Sequence, residues 1–204
     1  MDKIIYFDKF NKIKEKEYKK LYSFLPLSRK KQIDKINDIN TKKIKIIEYY
    51  LIKKYLKLKE NTDFCYSKNG KPYIENKKHF SISHTKNALV IAISKENVGI
   101  DMEEIKKHKT NLIKKVCNEK EIEEIKNSKN KTKKFLEIWT KKESTVKLFD
   151  TSIFFNTKDI LTNTDAVRYR TFFKNNHIIT IAKLNKKFKK WQNIGFMNKR
   201  YMIW

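Results

Sequence analysis

The order in which this chain changes its hydrophobic period restricts its fold more than any other feature. Residues 3–7, KIIYF, read as a strand, and from Lys12 to about Lys59 apolar residues return every three or four positions, as on helices. Leu21, Phe24 and Leu25 share one face of a first helix that Pro26 ends, and Ser28 suits the N-cap of the next. Ile44, Ile47, Leu51 and Tyr55 mark the stripe of a further amphipathic helix. After a turn at Asn69-Gly70 come HFSISHT, ALVIAIS and NVGIDMEE, the last two reading as a hairpin joined by KEN. Residues 110–127 return to a helical period, a Lys/Asn-rich link follows, and FLEIWTKKESTVKLF reads as a second strong helix. Residues 167–184 predict a hairpin turning at Asn175-Asn176, and the aromatic tail WQNIGFMNKRYMIW predicts a strand or packed cover. Strands and helices thus alternate in two blocks that divide near residue 98, with no Gly/Ser/Pro linker between them. The expected fold is α+β with mostly antiparallel strands.

Charge narrows the partners. The formal net charge is +26, yet only Arg29, Arg168, Arg170 and Arg200 are arginines, so 45 of the 49 basic residues are lysines. Arginine supplies the forked contacts to phosphates and base edges, so this composition argues against a nucleic-acid reader. Lysines spread along the chain fit a solvated surface that can still attract an acidic protein or a phosphorylated ligand. Cys65 and Cys117 show no metal-ligand spacing, which argues against structural zinc, and reduced thiols fit a cytoplasmic protein. The N-terminus has no signal-peptide character, and the longest clear apolar run, ALVIAI, is too short to span a membrane.

Two carboxylates interrupt the apolar run VGIDMEEI. Asp101 and Glu103 stand at i and i+2, so a strand points both to one side. Left unexplained, Asp101 is a helix-capping loop acid and Glu103 with Glu104 a solvated acidic pair. On the helix, Phe135, Leu136, Trp139 and Val146 lie near one stripe that also carries Glu143 and Lys147. That pair reads either as an i,i+4 salt bridge or as a third carboxylate joining the strand pair. Three acidic oxygen donors from two elements, without His or Cys, suit Mg²⁺ or Mn²⁺, which commonly share their shell with ligand phosphates. Ser83 and His84 lie just upstream and could hold a phosphate beside such an ion. The GKP at residues 70–72 supplies a turn, a cation and a rigid stop.

GKP, FSISHT, VGIDME and WTKKESTVK occur in an order that resembles the 4′-phosphopantetheinyl transferases of the Sfp type. Gly99-Ile100-Asp101 is similar to the family's G-[IV]-D signature, and Trp139 through Lys147 to its W-x-x-K-E-[SA]-x-x-K signature; the resemblance runs from about residue 70 to 148. It implies transfer of the phosphopantetheine arm of coenzyme A to a serine of an acidic acyl or peptidyl carrier protein, with 3′,5′-ADP released. It further implies that Asp101, Glu103 and Glu143 ligate Mg²⁺, with Mn²⁺ possible, and that Lys147 steadies a phosphate or the leaving group. Ser83 and His84 would contact coenzyme A phosphates, and Lys71 would lie along the nucleotide. Glu121 would stand beside Glu143 as a candidate general base. The 3′-phosphate would fall to Lys31, Lys35 and Lys43, with Arg29, Lys30 and Lys42 fitting nearly as well. The chain length is similar to the family's longer kind, implying a monomer of two similar α/β halves forming a pseudo-dimer, with one long helix packed in each half. The N-terminal half, 1–98, would bind coenzyme A, and the C-terminal half, 99–204, would carry the metal ligands.

Two other classes share parts of this pattern. A metal-dependent nuclease would use acidic residues plus a lysine on a basic protein, but the common type places Glu-x-Lys on a strand, whereas Lys-Glu-Ser here falls on a predicted helix. A non-catalytic basic nucleic-acid-binding module would leave Asp101 and Glu143 merely structural.

Overall fold

A computed structural model describes residues 2–107, 110–151, 157–162 and 164–188. The expected tail over 191–204 lies outside these residues. The α+β expectation holds, with helices and small antiparallel sheets in one chain.

The strand β1 (Lys3–Phe7) leads into three helices, α1 (Glu15–Ser23), α2 (Leu27–Asp34) and α3 (Ile39–Leu56). Pro26 does separate α1 from α2, but it also occupies the N-cap of α2. Ser28 therefore sits inside the first turn rather than capping it, and its hydroxyl bonds Asp63. Phe24 is 51% exposed, so it leaves the stripe expected with Leu21 and Leu25. On α3, Ile44, Ile47 and Leu51 are buried as their spacing predicts, whereas Tyr55 is 37% exposed beneath the Lys3 ammonium. The short hairpin β2 (Cys65–Tyr66) and β3 (Pro72–Tyr73) turns through Gly70, whose φ of +84° a side chain would resist. Then come β4 (His79–His84), β5 (Leu89–Ser94) and β6 (Gly99–Glu104).

The expected hairpin of ALVIAIS with NVGIDMEE does not form. β5 instead pairs with β4 and β1, in the order β1-β5-β4, and β6 enters a second sheet ordered β6-β8-β7. The physical reason is that β5 is buried on both sides and β6 is buried over Gly99–Met102 despite carrying Asp101, so each serves a sheet of its own, and adjacency in sequence does not decide the partner. The second sheet is completed by β7 (Val167–Lys174) and β8 (His177–Leu184), joined at Asn175-Asn176 as expected, with φ of 43° and 61°. Two consecutive positive φ values match the primed turns that fit the twist of a hairpin. Between β6 and β7 lie α4 (Thr110–Val116), α5 (Glu119–Asn127) and α6 (Lys131–Phe149).

Each sheet has the same strand order: first strand, last strand, then the strand that precedes the last in sequence. Each also has helices between its first strand and its terminal hairpin. The helix-facing side of the first sheet buries Ile5, Phe80, Leu89, Ile91 and Ile93 with Ile47 and Ile52 of α3. Its opposite side packs Val90 and Ala92 against Ile100, Met102, Ile179 and Ile181 of the second sheet. α6 covers the far side of that second sheet, so β6 presents even-numbered residues to the other sheet and odd-numbered residues to α6. Along the seam, Ser81 and Ser83 of β4 take the backbone N–H groups of Ile100 and Met102 of β6. Side-chain hydroxyls thus replace the carbonyls of a strand ladder between the sheets. No helix among the described residues is long and apolar enough to cross a membrane.

Candidate active site

Gly99 sets the geometry of the site. A Cβ there would lie 1.8 Å from the Ser144 carbonyl oxygen and 2.6 Å from the Leu148 nitrogen, so α6 rests directly on the β6 backbone. With the helix that close, the next two α6-facing residues of β6, Asp101 and Glu103, meet the helix turn that carries Glu143 and Lys147. The hydroxyl chain Thr140–Thr180–Thr171, at 2.7 Å and 2.9 Å, ties the same helix to β8 and β7.

Asp101 is 4% exposed. Its Oδ1 accepts from Ser83 Oγ at 2.9 Å and from Lys147 Nζ at 2.7 Å. Its Oδ2 is buried without a hydrogen-bond partner. Glu103 accepts from the Trp139 indole N–H at 3.1 Å, and its pKa is raised by burial and then by Asp101. Burial and then the Asp101 and Glu103 charges push Glu143 up to about 7, with Lys147 opposing them. Of the two readings of Glu143 and Lys147, the i,i+4 salt bridge is not the one formed, because the Lys147 ammonium goes to Asp101.

An orphaned buried carboxylate oxygen beside two destabilised carboxylates marks an excess of negative charge facing one space. Those hard oxygen donors fit Mg²⁺ or Mn²⁺ held by Asp101, Glu103 and Glu143. Among the described residues, however, no three His, Cys, Asp or Glu side chains are closed into a ligand set.

His84 projects at the end of β4 near Lys45, Glu48 and Lys147; desolvation and then Lys45 lower its pKa. Ser83, by contrast, is 8% exposed and turns inward to Asp101 rather than toward the surface. Lys71 gives its ammonium to Asn97 Oδ1 at 2.9 Å and to the Val98 carbonyl at 3.3 Å, and desolvation lowers its pKa to about 8. It lines a cavity of about 440 Å³ with Ser67, Tyr73, His79, Asn97 and Asp150. Lys31 and Lys35 are exposed at the end of α2, whereas Lys43 leans on Glu15 and the Tyr18 ring. Arg29 is 6% exposed and bonds Glu48 at 2.7 Å, which places it in the protein interior.

Glu121 lies elsewhere. It caps α5 through the Asn118 N–H and accepts from Lys142 Nζ at 2.6 Å; no hydrogen bond or ion pair among the described residues joins it to Asp101, Glu103 or Glu143. Lys142 was not a sequence-based candidate, yet it is fully buried and also donates to the carbonyls of Val116 and Thr157 at 2.8 Å. Its signal was present in the spacing, because Phe135, Ile138 and Lys142 recur at the helical period and all three are buried. The roles of Ser83 and Trp139 toward the carboxylates had no signal, since neither partner is near in sequence.

Residues 97–194 match the family described as ACPS, the 4′-phosphopantetheinyl transferase superfamily. The chain is also 31% identical over 149 residues to a 4′-phosphopantetheinyl transferase, gsp, of Aneurinibacillus migulanus. That alignment covers 68% of this chain, which spans 63% of the length of the curated relative. Asp101, Glu103, Glu143 and Lys147 all fall within the matched region, and residues 97–194 carry a domain of the 4′-phosphopantetheinyl transferase superfamily.

Proposed function

We propose that this protein transfers the 4′-phosphopantetheine group of coenzyme A to a serine of an apo acyl or peptidyl carrier protein and releases 3′,5′-ADP, as a transferase of the Sfp type. The observation that carries the reading is the carboxylate cluster of Asp101, Glu103 and Glu143 at the contact of β6 with α6, inside the matched domain. Asp101, Glu103 and Glu143 would hold Mg²⁺, or Mn²⁺. When bound, the ion would supply electrostatic stabilisation to the pyrophosphate and its leaving group.

The chain's own groups would do the rest. His84 and Lys147 would meet coenzyme A phosphates, with Lys71 along the nucleotide and Lys31, Lys35 and Lys43 toward the 3′-phosphate. Glu121 is already held by Lys142 Nζ at 2.6 Å, away from the carboxylate cluster, which favours Glu143 over Glu121 as the base that takes the serine proton. The recurrent strand order supports an internal pseudo-dimer, an N-terminal half over 1–98 and a C-terminal half over 99–204; a cytoplasmic monomer is part of the same proposal. The positive charge would draw in an acidic carrier protein. No observation favours the nuclease reading, and Glu143 with Lys147 stands on a helix rather than a strand.

The test is intact-mass measurement of apo carrier proteins after incubation with this protein, coenzyme A and Mg²⁺. A phosphopantetheine mass gain, absent with Asp101→Ala and with EDTA, is expected. No gain across fatty-acid, polyketide and peptide carriers, together with no rise in Tm on adding coenzyme A, would overturn the reading.

A further inference from the structure

We infer that Ser83 and Trp139 are positioning residues that aim the two strand carboxylates, and that neither is a coenzyme A ligand. The inference rests on the metal role assigned to Asp101 and Glu103 in the proposed function. Its basis is an accounting of hydrogens. A serine hydroxyl has one O–H to donate. Ser83 donates it to Asp101 Oδ1 at 2.9 Å, while its oxygen accepts the Met102 N–H at 3.2 Å. At 8% exposure, its one donor is already committed, so a phosphate oxygen could be bonded only by abandoning Asp101. The indole of Trp139 is likewise a single donor, committed to Glu103 Oε1 at 3.1 Å.

The two donors reach β6 from different elements, Ser83 from β4 of the first sheet and Trp139 from α6. Each fixes one oxygen of its carboxylate. For Asp101, Ser83 and Lys147 together occupy Oδ1, so that Oδ2 is the oxygen left without a partner. A carboxylate held by one oxygen presents the other in a set direction, and groups that orient metal ligands typically contribute about 10–100-fold to metal affinity. The first sheet thereby contributes to a site whose carboxylates lie on β6 and α6, and the Met102 N–H bond to Ser83 Oγ joins β6 to β4 beside Asp101.

The experiment is a Mn²⁺ titration of the full chain at pH 8 without coenzyme A, followed by the electron paramagnetic resonance of free Mn²⁺. It is paired with coenzyme A binding in EDTA. Ser83→Ala and Trp139→Phe should each weaken Mn²⁺ binding by about 10–100-fold and leave metal-free coenzyme A affinity unchanged, and Ser83→Thr, which keeps the hydroxyl, should restore Mn²⁺ binding to within a few-fold. Unaltered Mn²⁺ affinity in Ser83→Ala, with weakened coenzyme A binding in EDTA, would overturn the inference and make Ser83 a phosphate contact. Should Ser83→Ala fail to fold, Trp139→Phe retains an aromatic ring and tests the same idea at Glu103. A wild-type chain that binds no Mn²⁺ would overturn the metal reading itself, an outcome visible without any variant.

Discussion

At the residue scale, the site is a balance between burial and like charge. Glu143 has a folded-state pKa of about 7 against an ordinary value of 4.5. Between those values the folded chain binds more protons than the unfolded one, so metal-free stability falls as pH rises through that window. Glu143→Gln removes the largest part of that dependence, while Glu103, shifted in the same direction, keeps some of it. The variant's Tm, measured in EDTA, should fall less steeply than the wild type's between about pH 4.5 and 7 and exceed it above pH 7. Identical slopes would refute the raised pKa. Gly99 answers to a different force, simple exclusion: with Ser144 O 1.8 Å from where a Cβ would sit, Gly99→Ala must lift α6 off β6. A loss of about 3 kcal/mol or more in denaturant unfolding is expected.

At the element scale, α6 is held by polar contacts as much as by apolar ones. Lys142, buried on the face of α6 that meets α5, ties it to Glu121 and to the carbonyls of Val116 and Thr157. Removing one partner of a buried ion pair leaves an uncompensated charge, typically a cost of about 3–5 kcal/mol. Lys142→Met should therefore destabilise the chain by that amount in chemical denaturation, and adding Glu121→Gln should recover part of it. Full additivity of the two losses would show that they do not act as a pair. The β7–β8 turn offers a converse case. Asn176 has a φ of 61°, a region that glycine enters without strain. Asn176→Gly should leave stability equal or slightly higher, whereas a β-branched Asn176→Val should lower it by roughly 1–2 kcal/mol, read from thermal unfolding.

At the scale of the whole molecule, two sheets of like strand order meet along a seam of serine hydroxyls, backed by longer reaches between them. His177 lies among Tyr6, Thr85 and Asn175, and Lys183 bonds Ser94 and Asp2. The carboxylate site sits at this seam, which is why a contact across it can reach the chemistry. Around it lies a formal charge of +26. If an acidic carrier protein is the partner, electrostatic steering should raise the association rate by about 10-fold or more at low salt. Stopped-flow binding should show the rate falling steeply between low and high ionic strength, and a salt-independent rate would remove the surface charge from the account.

Much of this was legible in the sequence because local periods survive folding. The helical stripe of Ile44, Ile47 and Leu51, the turn at Asn175-Asn176 and the strand that places Asp101 and Glu103 on one side depend only on neighbours along the chain. What the sequence could not decide was pairing at a distance. β5 and β6 are adjacent in sequence and both largely buried, and only the packing of two sheets, with α3 outside one and α6 outside the other, sends them apart. Lys142 and Glu143 are neighbours in the chain, yet one became a buried anchor and the other a carboxylate poised near neutrality. The difference is which element each meets. Sequence set the kinds of groups available at β6 and α6, and tertiary contact, by excluding water and choosing each group's partner, set what they became.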